Sequence, residues 1–146
     1  MRSALQSFFK SNKFKIFLLV VFVLLLSVPV MMYARFKTEL RFAFREAKNV
    51  KLALEMYDIY AYADNNTIFD STRKDGMREG IQQDICEYLE MDDCYITLTS
   101  YDKKSRKILG FIYERNGFQV IYEYNAQTGD SYKINYILHI KTYNGE

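Results

Sequence analysis

Nineteen consecutive residues, Ile16 to Ala34, carry no charge. As a helix rising about 1.5 Å per residue, the run is about 28 Å long, close to the roughly 30 Å hydrocarbon core of a bilayer. Leu18 to Leu26 is apolar on every face, as contact with lipid demands, and a buried core helix rarely needs so long an uncharged stretch. A secretory signal peptide would want small residues at −3 and −1 of a cleavage site. Cleavage after Ala34 places Met32 at −3, and cleavage after Ser27 places Leu25 there. The run therefore predicts an uncleaved membrane anchor in which Ile16, Leu18, Leu19, Val20, Phe22, Leu24 and Leu25 meet lipid. Pro29 is expected to bend that helix without ending it, because neighbouring groups in a membrane re-satisfy the freed carbonyl.

Beyond the run, Phe36, Leu40, Ala43, Ala47, Val50, Leu54, Tyr57 and Ala61 recur at alternating spacings of four and three, which keeps them on one stripe of a continuing helix. Tyr33 to about Tyr62 is rich in good helix formers, with Lys37, Arg41, Arg45, Lys48, Lys51 and Glu55 off the stripe. Asp64-Asn65-Asn66 supplies turn formers where the pattern stops. Thr67 to Asp75 reads as a loop, followed by a short helix across Met77 to Glu90. Four runs then alternate like half-buried strands: Tyr95 to Tyr101, Lys107 to Arg115, Phe118 to Asn125 and Ser131 to Lys141. Asn116-Gly117, a two-residue link between two of them, is the strongest short hairpin signal because both positions need positive φ.

The expected fold is α+β: a long N-terminal helix, half transmembrane and half amphipathic, packed on a four-stranded antiparallel meander, with one short extra helix. A lone meander leaves an apolar face wet, and even 400 Å² of it would forfeit about 10 kcal/mol at roughly 25 cal/mol per Å². The helix stripe is the natural cover. Pairing of that stripe with another chain as a coiled coil is the competing reading, but Ala43, Ala47 and Ala61 are small for such a seam, and Phe44, Leu52 and Met56 widen the apolar face beyond it.

Charge divides the chain unevenly. Residues 1–15 hold Arg2, Lys10, Lys13 and Lys15 and no acid, so that residues 35–146 carry 16 bases against 18 acids. A mildly acidic solvent-facing part with no basic stripe argues against nucleic-acid binding. A short basic N-terminus is the usual cytoplasmic end of a signal anchor, and long domains translocate largely regardless of charge. The expected layout is a basic cytoplasmic N-terminus at 1–15, a transmembrane helix at 16–34 and an extracytoplasmic α+β domain at 35–146.

Catalytic constellations are sparse. His139 is the only histidine, set among Ile137, Leu138 and Ile140, and reads as an ordinary sheet residue. One histidine and two cysteines at this spacing make no zinc set. Placing Gly76 at the turn of a calcium loop puts Ser71 and Arg73 where ligands belong, and no glycine loop cradles phosphate. The sequence thus implies no cofactor and no enzyme. Cys86 and Cys94 form an even pair; in an exported domain a bridge would close nine residues and stabilise by roughly 2.5 kcal/mol, while two separate buried thiols is the alternative. Asn65-Asn66-Thr67 fits a glycosylation sequon, a pattern common by chance. Lys103-Lys104, Arg106 and Lys107 read as a solvated strand turn.

A short basic N-terminus, an apolar helix with an internal proline (Pro29), a continuous amphipathic second half (Phe36 to Tyr62), a loop region and an antiparallel sheet together resemble the type IV pilins and pseudopilins. The glycine that ends a prepilin leader and the glutamate within the apolar run have no counterpart in Gln6-Ser7-Phe8-Phe9, Asn12-Lys13-Phe14 or Ile16 to Ala34. The resemblance therefore implies a pilin-like protein that keeps its anchor, or an accessory subunit, with membrane lipid and other membrane-anchored proteins as partners. The alternative is a membrane-tethered sensing or inhibitory domain that binds a small ligand or cell-wall fragment, with Tyr113, Tyr122 and Tyr124 lining its site.

Overall fold

The computed structural model describes residues 12–137. Helix α1 (Asn12–Ala63) is followed by a loop, helix α2 (Ile81–Tyr88) and strands β1 (Tyr95–Asp102), β2 (Lys107–Arg115), β3 (Phe118–Asn125) and β4 (Gly129–Tyr136). This is the α+β arrangement anticipated above. The chain parts into two compact units between Glu39 and Leu40.

The first unit is helical throughout its described part. Among the described residues, α1 is the one helix long and apolar enough to cross a membrane, by length and composition; its best 18-residue window has mean hydropathy 2.8 and none of it is buried. Ile16, Leu18, Leu19, Val20, Phe22, Leu24 and Leu25 all stand exposed. α1 runs through Pro29, whose ring nitrogen has no proton for the Leu25 carbonyl. Ser27 and Thr38 fold their hydroxyls back onto the carbonyls of Leu24 and Ala34, and Arg35 pairs with Glu39 at 3.0 Å.

The second unit is built on its sheet, strand order β1-β2-β3-β4, all antiparallel. Asn116 and Gly117 have φ of 51° and 79°, so the β2–β3 hairpin turns as its dipeptide dictates. Between β1 and β2 the register slips on either side of Ser100, and Gly110 sits there because a Cβ would crowd Thr99 Oγ1. The part of α1 from Leu40 covers one sheet face. Ala43, Ala47, Val50, Leu54 and Ala61 are buried in one cluster with Ile96, Leu98, Phe111, Tyr113, Val120 and Tyr122, and Leu40 and Tyr57 pack partly buried against it. The alanines permit close approach to the large rings of Tyr113 and Tyr122. Phe36 falls in the first unit and stays exposed, and Leu52, expected to widen the core-facing side, is 63% exposed.

The loop before α2 folds more tightly than its sequence suggested. Phe69 and Met77 form a β-bridge, Arg78 N–H donates to the Ile68 carbonyl, and Leu98 N–H in β1 donates to the Asp75 carbonyl. Gly76, at φ +67°, lies so close to β1 that a Cβ would collide with the Leu98 carbonyl oxygen. Met77 is therefore a buried bridge residue and not the start of a helix. α2 begins only at Ile81 because Gly80, at φ 86°, cannot continue a helical turn backward. A disulfide joins Cys86 in α2 to Cys94 just before β1, with Cα atoms 6.1 Å apart. Leu138, His139 and Ile140, assigned above to the last strand, lie outside the described residues, as do Met1 to Ser11.

Candidate interaction surface

Three polar clasps fasten α1 to the sheet. Asp58 lies one position from the apolar stripe, is 4% exposed, and receives Arg106 Nη2 at 2.8 Å, Arg106 Nε at 3.1 Å and the Tyr101 hydroxyl at 2.9 Å. Arg106 also donates to the Asn66 and Asp58 carbonyls and lies over the Tyr62 ring. Glu46 accepts from the Tyr113 hydroxyl at 2.9 Å and from Arg115 Nη1 at 2.5 Å. Burial, with the Glu46 charge adding to it, pushes the Tyr113 hydroxyl well above the ordinary tyrosine range.

Lys51 donates to Asp130 Oδ2 at 2.7 Å and sits over the Tyr122 ring, whose hydroxyl donates to Asp130 Oδ1 at 2.8 Å. Burial, with the bond to Asp130 adding to it, raises the Tyr122 hydroxyl to about 12. Burial pulls the Lys51 ammonium down, but the bonds to Asp130 and Tyr122 outweigh it and the group titrates above its usual value. The bonds from Lys51 and then Tyr122 hold the Asp130 carboxyl below the usual carboxylate value. A depressed carboxylate stabilises the fold above its unfolded pKa and loses that contribution as pH falls through its folded one. A raised ammonium contributes below its unfolded pKa and loses the contribution on the alkaline side. The acid limb of this clasp therefore belongs to Asp130. In thermal melts, Asp130→Asn is expected to lower the midpoint at neutral pH and to flatten the decline seen as pH drops from about 4; an unchanged acid slope would show that Asp130 does not carry it.

With three acids and three bases drawn into these clasps, the side of α1 turned away from the sheet is divided along its length. At about 100° per residue, Arg41, Arg45 and Lys48 project opposite Ala47 and Val50, and Leu52, Met56 and Ile59 continue the same line. Leu52 and Ile59 are exposed, while Met56 is half-buried. Asn49, Leu52, Ala53, Met56, Tyr88 and Leu89 line a cleft of about 210 Å³ between this face and α2. Two larger open clefts flank α1. One, of about 380 Å³, lies beside the Asp58–Arg106 clasp, and the other, of about 410 Å³, runs past Phe44, Lys48 and Tyr132.

The cationic line corrects the expectation of no basic stripe. Glu46 is the only acid between Leu40 and Leu54, and its turn toward Arg115 and Tyr113 leaves the outer bases without a neutralising neighbour. Tyr113 and Tyr122 are core residues and line no open site; Tyr124 is half-buried beneath the Lys107 ammonium. Arg106, read from the sequence as part of a solvated turn, and Tyr113 and Tyr122, read as lining a ligand site, are instead drawn into the clasps. Glu46 and Asp58 carried one signal, a place beside the apolar stripe next to Ala47 and Tyr57. Among the described residues no group of three His, Cys, Asp or Glu side chains is placed to hold a metal ion. No protein family, curated protein or solved structure matches the chain.

Proposed function

We propose that the chain is a single-pass membrane protein that displays a small, non-enzymatic α+β module for contact with other membrane-anchored proteins, in the manner of a pilin-like or secretion-apparatus accessory subunit. The observation that carries this reading is the outer face of α1: the helix buries one apolar stripe against its own sheet and still presents Leu52 and Ile59, 63% and 67% exposed, on the opposite side. Apolar side chains aligned on an otherwise solvated helix, bordered by charge, mark a protein contact. The Cys86–Cys94 disulfide supports an oxidising compartment and hence an exported module, with the N-terminus in the cytoplasm. The clasps support a scaffold role, since they engage Glu46, Asp58 and Asp130 in bonds that hold α1 to the sheet.

A photo-crosslinking residue at Ile59 of the full chain, irradiated in intact native membranes, is expected to capture another membrane-anchored protein. Leu52→Glu should reduce that adduct at least about tenfold, the loss expected when a central apolar anchor of an interface is replaced by a charge. The same probe at exposed Lys104 should capture nothing. Capture that is indifferent to Leu52→Glu, or none at all, would overturn the reading.

A further inference from the structure

Two stretches of the second unit each present exposed charge of a single sign. Arg41, Arg45 and Lys48 stand exposed on the outer face of α1, and none of them joins an ion pair among the described residues. From Glu79 to Asp93 the chain holds six acids and no base. All six, including Glu87, Glu90 and Asp92, are exposed, and none is paired within 4.0 Å among the described residues. The clasps thus leave these two groups of opposite sign on the surface, outside any ion pair among the described residues.

Each surface also carries exposed aromatic area. Arg45 lies over the Phe42 ring at 5.3 Å, Phe42 being half exposed, and Lys48 lies over the Phe44 ring at 4.6 Å. On the acidic side Tyr88 is 59% exposed and Tyr95 64%. Arginine and tyrosine are enriched in protein contacts.

We propose that these surfaces are the two halves of one contact, in which the cationic face of α1 receives the acidic α2 surface of a second copy of this chain. Symmetric pairing through α1 alone would set Arg41, Arg45 and Lys48 against their own copies, and like charges placed together across an interface oppose association. The contact is therefore heterologous, and each copy keeps one face free for the next. Confinement to a membrane raises the local concentration of copies, so that a contact weak in solution suffices there. This rests on the module being a protein-contact module and names its partner.

The test uses the full chain in mild detergent and reads self-association by analytical ultracentrifugation at about 50 and about 500 mM salt, since screening shortens severalfold over that range. The wild type is expected to associate at low salt, with affinity falling at least about tenfold at high salt. Arg41→Glu/Arg45→Glu/Lys48→Glu and Glu87→Lys/Glu90→Lys/Asp92→Lys should each lose association. An equimolar mixture of the two variants should regain it, because each then offers the face that the other lacks. Both variants are surface changes and should keep the wild-type melting midpoint, which separates lost contact from lost fold. A monomeric wild type, association indifferent to salt and to both reversals, or a mixture that stays apart would overturn the proposal. So would cationic-face-dependent binding of anionic phospholipid by a monomeric wild type, which would make a lipid surface the occupant. If Ile59 adducts to a different protein persist in any of these cases, the contact module stands and only its assignment to a second copy falls.

Discussion

Asp58→Ala is expected to lower the free energy of unfolding by about 3–5 kcal/mol, the range for removing one partner of a buried ion pair. The carboxylate is almost fully enclosed and gathers the guanidinium of Arg106, the Tyr101 hydroxyl and, at 3.4 Å, the Ile68 N–H, so that one substitution orphans three donors from three parts of the chain. Small domains carry only about 5–15 kcal/mol in all, and a loss of this size should depress the melting midpoint by more than about 10 °C. Urea titration of the full chain in detergent, followed by near-ultraviolet circular dichroism of its tyrosines, measures the change. Adding Arg106→Met should return part of the loss, because the charge that was stranded is then gone. A loss below about 1 kcal/mol would place Asp58 among ordinary surface ion pairs.

Phe22→Arg with Leu25→Arg should move the protein out of the membrane fraction. Both side chains are exposed in the apolar part of α1, and each arginine at the centre of a spanning helix costs about 2.5–3.5 kcal/mol of insertion free energy. Together they oppose insertion by about 5–7 kcal/mol, enough to reverse a partition that nineteen uncharged residues otherwise favour. Flotation with neutral liposomes after alkaline extraction reads the outcome: wild type and Leu25→Ala rise with lipid, and the double arginine variant stays below. A wild-type chain that remains in the aqueous layer would remove the anchor and every conclusion that depends on it.

What could be read from the residues and what could not differ in range. The uncharged run, the stripe and the Asn116-Gly117 turn are patterns within a few residues, and each names its own local geometry. The clasps join residues 48, 69 and 79 positions apart, and no spacing announces them. Glu46 shows the difficulty plainly. Counted in sequence, it offsets part of the basic charge around it; in the folded module it faces the sheet, and the outer face of the helix keeps its bases without that offset. Leu52 misled in the opposite direction, since an apolar residue near a stripe reads as core until the helix is turned. Met77 fits a helix face by period, yet Gly80, three positions beyond it, decides where the helix can start. The exposed outer face of α1 was thus the least legible part, because it consists of what the core leaves over.

The turn that Gly76 allows has a bearing on the sheet margin it touches. Asp75 occupies the Leu98 amide at the outer border of β1, so an extended segment from another molecule that tried to zip onto that border would first have to evict it and unwind the Phe69–Met77 bridge behind it. Recruitment of a foreign strand at β1 is thereby obstructed by the protein's own backbone, a safeguard against edge-to-edge aggregation.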